Sequence, residues 1–417
     1  MFIKSCPKLI TKKNIMTKLK FSFNHIRSFN LILFILMCSF IVSCVSVNKI
    51  MTGKNDYLSI DGYSGIDESN YMKAITKLSK IIKRDSLNAD ALNARGFCYL
   101  RLNSFSEALV DYNNSIQISP SVNKFINRSK TNMKLGNYQA AFNDLRNATE
   151  LDSTNIYLDF NYGIFYLDVK NYEKAIQHFL KSIQKDETTR FIAYYNIGKC
   201  YRYLNNFEKA IENYNAARMI NPNIAPLYDN IGTANMLLGN NEEGIKNYTK
   251  AIELDSNFYS PYYNRGNAYF NSGNFNNAIS DYNKAITLTE NPSKHIVINC
   301  NLSRLMFLTK NYGESINYGN KVLLYKDKVD LGIYYYIALY NMAISNLKLS
   351  KPDIAYEIYK DCFEDGTISK NPELVEETCS DLIEHYKTGS DQMLIKNILL
   401  NIIKISEDDF NNRLVNN

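Results

Sequence analysis

The chain has 417 residues, 45% hydrophobic and 22% charged, a balance ordinary for a soluble globular protein. Its formal charge of +6 sits at one end: residues 1–43 hold seven Lys or Arg and no Asp or Glu, leaving 41 basic against 42 acidic side chains in residues 44–417. A body without a basic excess gives no electrostatic footprint for nucleic acid. Only eight prolines occur, which suits long helices, because proline removes a backbone donor and clashes inside a helix. Asparagine, lysine, isoleucine and tyrosine are abundant, which we read as the composition of an AT-rich genome rather than as a functional sign.

Residues 1–30 carry Lys4, Lys8, Lys12, Lys13, Lys18, Lys20 and Arg27, followed by an apolar run from Leu31 to Val42. A spanning helix needs roughly 20 apolar residues, so a run of this length reads as the core of a signal peptide. Translation from Met1 or from Met16 is compatible with it. The run ends Ile41-Val42-Ser43-Cys44, which resembles the lipobox of bacterial lipoproteins. That resemblance implies that residues 1–43 are removed and that Cys44 is lipidated, carrying palmitate-type acyl chains into the membrane. The other reading is a buried cysteine in an uncleaved signal anchor. Val45, rather than aspartate, follows Cys44, which by resemblance to the enterobacterial sorting rule implies an outer-membrane site facing the periplasm. Residues 44–66 contain three glycines and no sustained helical period, the pattern of a tether.

From residue 67 onward a period organises the chain. A small residue in a helix reading Tyr/Phe-x-x-Ala falls at Ala74, Ala108, Ala141, Ala175, Ala210, Gly244 and Ala278, with spacings of 34, 33, 34, 35, 34 and 34. Looser copies follow at Ser315 and Ala355. A glycine precedes it at Gly96, Gly163, Gly198, Gly232 and Gly266, with Ser129 in the missing slot. Large residues follow four positions later, at Leu78, Tyr112, Leu145, Phe179, Tyr214, Tyr248 and Tyr282. Spacings of three and four keep one helix face apolar. Ser119-Pro120, Asp152-Ser153, Asn221-Pro222 and Asp255-Ser256 close successive units, and Gly273-Asn274 ends a first helix.

This pattern resembles the tetratricopeptide repeat family over residues 67–363, most strictly over 89–290. The resemblance implies an all-α, right-handed superhelical solenoid of helix pairs. Gly266 and Ala278 are expected where the two helices of a pair cross, and Tyr269 and Tyr282 between neighbouring pairs. The units near Ser315 and Ala355, where spacings stretch to 37 and 40, are expected to be distorted. Residues 372–388 and 391–406 read as two more helices within a C-terminal segment, 364–417, that caps the last apolar face.

Enzyme constellations are absent from the sequence: there is no phosphate loop, dinucleotide fingerprint, nucleophile elbow or paired-histidine zinc motif. No cofactor or metal is expected. His178 reads as a surface residue. Cys98 and Cys200 occupy one small packing slot in two repeats, and a Cys362–Cys379 pairing stays open for an extracytoplasmic chain.

By resemblance, the first helices line a concave groove. The residues implied to face it are Phe97, Leu100, Lys130, Phe160, Ile164, Tyr195, Lys199, Arg202, Met236, Tyr263, Asn267 and Phe270. A groove of aromatic, Met and cationic side chains suits an extended peptide or partner helix; the other reading is that some of these residues only pack between helices. No unit carries lysine directly after its opening aromatic, a departure from family members that clamp a C-terminal carboxylate. The expected function is a non-catalytic scaffold of the cell envelope that binds a protein or peptide and is held to the membrane by a lipid. The alternative is a glycan-binding outer-membrane lipoprotein, against which the absence of tryptophan counts.

Overall fold

The computed structural model describes residues 68–326, 331–364 and 392–399, with single positions 379, 382, 383, 403 and 406. The leader, the tether, Cys44 and most of the helix expected at 372–388 lie outside the described residues. Among the described residues every regular element is helical. A lone helix, α1 (Glu68–Arg84), is followed by antiparallel pairs: α2 (Ala89–Arg101) with α3 (Phe105–Ile118), α4 (Val122–Lys134) with α5 (Tyr138–Leu151), and α6 (Ile156–Asp168) with α7 (Tyr172–Lys185). The series continues as α8 (Arg190–Tyr203) with α9 (Phe207–Ile220), α10 (Ala225–Leu237) with α11 (Asn241–Leu254), and α12 (Tyr259–Asn271) with α13 (Phe275–Thr287). Then come α14 (Pro292–Leu308) with α15 (Tyr312–Leu323), α16 (Ile333–Lys348) with α17 (Pro352–Glu364), and α18 (Gln392–Asn397). The chain forms two compact units, Met1–Ala193 and Tyr194–Asn417.

One turn, repeated, sets the angle within each pair. The first helix ends in a residue of left-handed conformation at Asn103, Gly136, Lys170, Asn205, Gly239, Gly273, Lys310 and Ser350, with φ between 55° and 83°. The next amide reaches back five residues, as Ser104 N–H does to Tyr99 O at 2.9 Å and Asn274 N–H does to Tyr269 O at 2.8 Å. This satisfies carbonyls that the helix end would leave unpaired. The residue making that bond holds the N-cap position of the second helix, and at two pairs its side chain caps it. Asn171 and Asn206 accept from the amides of Lys174 and Lys209, and Asn88, Asn155 and Asn291 cap first helices in the same way.

The small slots of the second helices are sealed: Ala108, Ala141, Ala175, Ala210 and Ala278 have no exposed surface. The glycines of the first helices lie against the second helix of their own pair, as expected, and the large residue of that helix packs on them. A Cβ on Gly266 would stand 2.9 Å from two carbons of Tyr282, and one on Gly96, Gly198 or Gly232 would stand 2.6–3.1 Å from two carbons of Tyr112, Tyr214 or Tyr248. The ring therefore fills the space above the glycine of its own pair, and Tyr282 also packs on Ile298, Leu302 and Leu305 of the next pair, as its expected place between pairs requires. Where Ser129 replaces glycine, the facing side chain is the smaller Leu145, and Ser129 Oγ donates to Ala141 O at 2.9 Å.

The stretched units differ as their spacing predicts. Helices α14 and α16 have 17 and 16 residues against 13 in the first helix of the preceding pair, α12. Gly319, in the aromatic slot, is crowded by Met342, whose Cγ stands 2.5 Å from the position of a Cβ. At the C-terminal end, Cys379, Leu382, Ile383, Ile395, Ile398, Leu399 and Ile403 form one buried cluster with Ala343, Ile344, Leu347, Ala355 and Tyr359. This covers the apolar face of the last pair, as a solenoid end requires. Cys98, Cys200, Cys300 and Cys379 are buried, and the side chain of Cys362, the other half of the pairing left open with Cys379, lies outside the described residues. No helix among the described residues is long and apolar enough to cross a membrane.

Candidate functional site: the face of the first helices

Contacts between successive first helices recur at one-repeat spacing and define a face in each unit. In the first unit Asn127 Nδ2 donates to Asn93 Oδ1 at 3.2 Å. In the second, Asn230 Nδ2 donates to Tyr195 Oη at 3.0 Å, Asn264 Nδ2 to Asp229 Oδ1 at 2.9 Å, and Asn301 Nδ2 to Asn267 Oδ1 at 3.3 Å. Asparagine stands two positions before the small slot at 127, 161, 196, 230, 264, 301 and 341. At 127, 230, 264 and 301 the amide reaches the preceding first helix.

The second unit has the more polar face. Tyr259 and Tyr263 stack with ring centroids 5.9 Å apart, and Lys294 Nζ lies 4.3 Å from the Tyr259 centroid. Tyr263 also packs on Tyr282 at 6.1 Å, whose hydroxyl donates to Asn267 Oδ1 at 2.6 Å. Asp229 is 8% exposed and accepts from Ser260 Oγ at 2.7 Å as well as from Asn264. Burial pushes its carboxyl above the ordinary carboxylate range, against the pull of those two donors and of the Arg202 charge. Arg202 lies 4.6 Å from the Tyr203 ring, and its buried Nε has no hydrogen-bond partner.

The residues expected to face the groove divide accordingly. Lys199, Arg202, Tyr263 and Asn267 are partly exposed on the polar face of the second unit. Tyr195 is 4% exposed and packs on Tyr214, so it supplies a hydroxyl rather than a surface. Phe270 packs on Phe275, and Met236 fills the space beside Gly244. In the first unit Phe160 is 4% exposed against Phe179, Phe97 meets Tyr71 edge-on at 6.4 Å, and Ile164 joins the apolar cluster around Leu145. Leu100 and Lys130 are partly exposed. The first-unit face is thus largely given over to packing.

Two constellations were invisible to motif searching. Arg95, Arg128 and Arg265 each grip an aspartate 16 residues on, Asp111, Asp144 and Asp281, through paired contacts of 2.6–3.1 Å. A further nitrogen of each reaches the preceding second helix at Ser79, Asn113 or Thr249. The sequence signal was present as Arg before the small slot and Asp before the large one. In the α6–α7 pair, Tyr162 and His178 take those positions. His178 is half-buried rather than on the surface: it stacks against both Tyr162 and Tyr166 at 5.2 and 5.3 Å and bonds Asp159 at 3.0 Å. Burial would raise the Asp159 carboxyl, but Lys185 at 2.6 Å and His178 hold it below its usual range. The aspartate contacts staple the two helices of one pair, and the arginines' further contacts tie each pair to the preceding second helix. No group of three His, Cys, Asp or Glu among the described residues is placed to hold a metal.

Comparison with known proteins agrees with this architecture. A tetratricopeptide repeat model matches residues 191–224 and 259–292, two more models of that description match 64–123 and 125–155, and a TPR repeat model matches 232–273. The chain is 30% identical over 96 residues to sperm-associated antigen 1 of Homo sapiens, covering 23% of this chain and 10% of that protein. It is 39% identical over 96 residues to heat shock protein STI1 of Saccharomyces cerevisiae, covering 22% of this chain and 16% of that protein. The match spans about a tenth and a sixth of these relatives' lengths. Among solved structures, the IFIT1 monomeric mutant with Gppp-AAAA superposes with a TM-score of 0.53 at 14% identity, over 75% of this chain and 76% of that chain, a likeness of fold alone. The chain therefore carries tetratricopeptide repeats in an all-α solenoid fold, one that typically serves as a non-catalytic scaffold for protein interactions.

Proposed function

We propose that this protein is a non-catalytic interaction scaffold of the bacterial cell envelope. In this reading Cys44 carries the lipid that holds it, at the outer membrane facing the periplasm, and an extended peptide or partner protein binds along the first helices. The observation that supports the binding half is the polar face of the second unit. Lys199 and Arg202 offer cationic donors, Asn230 and Asn264 place amides at one-repeat spacing, and the stacked Tyr259 and Tyr263 offer flat apolar surface. Together they suit the carbonyls and acidic side chains of an extended chain. The lipobox-like Ile41-Val42-Ser43-Cys44 supports the anchoring half.

The test is affinity purification from crosslinked envelopes with the wild type, Lys199→Glu/Arg202→Glu and Cys44→Ala. The reading expects a partner that is lost with the charge reversal, and loss of palmitate labelling and membrane retention with Cys44→Ala. Recovery of the same proteins with the charge-reversed variant would sink the proposed face. Unchanged labelling in Cys44→Ala would sink the anchor.

A further inference from the structure

Helix α1 departs from the rest of the first unit in charge. Lys73, Lys77, Lys80 and Arg84 follow one another at spacings of four, three and four, which places them on a single stripe. Lys83 flanks the stripe, and all five cations are exposed. The only acid in the helix is Glu68. Across residues 68–193 there are seventeen Lys or Arg and thirteen Asp or Glu, an excess of four. Helix α1, with five against one, accounts for all of it. None of its cations forms an ion pair among the described residues, whereas Lys124, Lys185 and Arg190 in the same unit do.

The opposite side of α1 is committed to the fold, with Tyr71, Ala74 and Leu78 buried against Ala91, Ala94 and Cys98. The basic stripe therefore has a fixed orientation. Apolar side chains border it: Met72 is 57% exposed, Ile81 41%, and Leu87, in the turn after the helix, 71%. Cations rimmed by exposed apolar groups suit the interface of an anionic bilayer, where headgroups attract the charges and acyl chains receive the apolar side chains. The chain's path points the same way. Residues 45–67 separate Cys44 from α1, and a flexible segment of that length has a mean end-to-end distance of roughly 25 Å. A lipid on Cys44 would thus hold α1 close to the headgroups.

We propose that the stripe Lys73–Lys77–Lys80–Arg84 docks on an anionic phospholipid surface and sets how the first unit sits on the membrane. The inference rests on the lipid-anchor reading for its proximity argument. Each cation at such a surface strengthens the contact roughly fivefold, and salt weakens it.

The test uses the full-length chain on vesicles of phosphatidylcholine alone or mixed with phosphatidylglycerol. Exposed lysines are acylated briefly and read by mass spectrometry, and the mass of the Cys44 peptide is read from the same digest. The expected result is several-fold slower acylation of Lys73, Lys77, Lys80 and Lys83 on the mixed vesicles only, abolished by high salt, with Lys284 in α13 unchanged. Equal labelling on both vesicles overturns the proposal, as does protection by a short DNA duplex in place of the mixed vesicles. A lipidated Cys44 with unprotected lysines removes the docking face and leaves the anchor. An unmodified Cys44 with protected lysines removes the anchor and leaves the docking face.

Discussion

The ring of Phe179 lies 2.6 Å from where a Cβ on Gly163 would stand, and the ring itself has no exposed surface. Glycine in the middle of α6 costs helix propensity, and here the lost methyl is what allows the two helices of the pair to close over an aromatic ring. Gly163→Ala is expected to destabilise the α6–α7 pair by about 1–3 kcal/mol through overpacking. Combining it with Phe179→Leu should recover part of the loss, because Ser129 and Leu145 already realise that small–large balance one repeat earlier. Gly313→Ala, where a Cβ meets nothing within 4 Å, is the control. Urea midpoints that fall equally for Gly163→Ala and Gly313→Ala would refute the argument.

Arg265 and Asp281 bind through two contacts of 2.8 Å, and the aspartate side chain is 6% exposed. The pairing holds Arg265 more firmly protonated even though burial opposes the charge. Removing one partner strands a charge in a poorly solvated place, so Asp281→Ala should cost about 3 kcal/mol. Arg265→Met/Asp281→Leu should cost less than Asp281→Ala alone. Hydrogen exchange of the α13 amides measures both, and equal losses would mean that the pair is not coupled.

Lys170 takes a left-handed conformation, with φ of 61°, at the turn where Gly136, Gly239 and Gly273 stand in other pairs. A non-glycine residue there carries strain that glycine avoids. Lys170→Gly is expected to stabilise the α6–α7 pair by up to about 1 kcal/mol net of chain entropy. A lowered thermal midpoint would contradict it.

Asp229 ties α10 to α12 while its carboxyl is held above the ordinary range by burial. For a group raised in this way, the folded state is favoured below the ordinary value near 3.9 and loses that advantage as pH rises through the raised value. Asp229→Asn keeps an acceptor for Asn264 without the buried charge. Its stability relative to wild type should therefore rise between pH 4 and pH 8, followed by urea unfolding at each pH. A difference that is flat with pH would show that Asp229 ionises as it does in water.

Much of the fold was legible because its determinants are local and repeat. The alanines at one-repeat spacing seal all but two of the described helix pairs, where Gly244 and Ser315 stand instead, and Gly273 takes the positive φ that its position after a first helix implies. The stretched spacing after Ala278 reappears as the longer α14 and α16. The asparagines, read from composition alone as a genomic bias, proved to cap helices at Asn88, Asn155, Asn171 and Asn206 and to bridge first helices at Asn230, Asn264 and Asn301. Phe160 and Tyr195 show the limit: register places them on the first-helix face, yet both side chains are spent on the ring of the next helix.

The sequence by itself determined the helix pair, its period and its turns, because apolar spacing, small-residue slots and caps act within about 34 residues. Only the tertiary structure decided what fills each glycine's space, which arginine holds which aspartate, and that His178 packs on two tyrosines while Lys73, Lys77, Lys80 and Arg84 face solvent together. Those outcomes depend on the distance and angle between helices. Every neighbouring side chain sets that geometry jointly, so no single stretch of the chain encodes it.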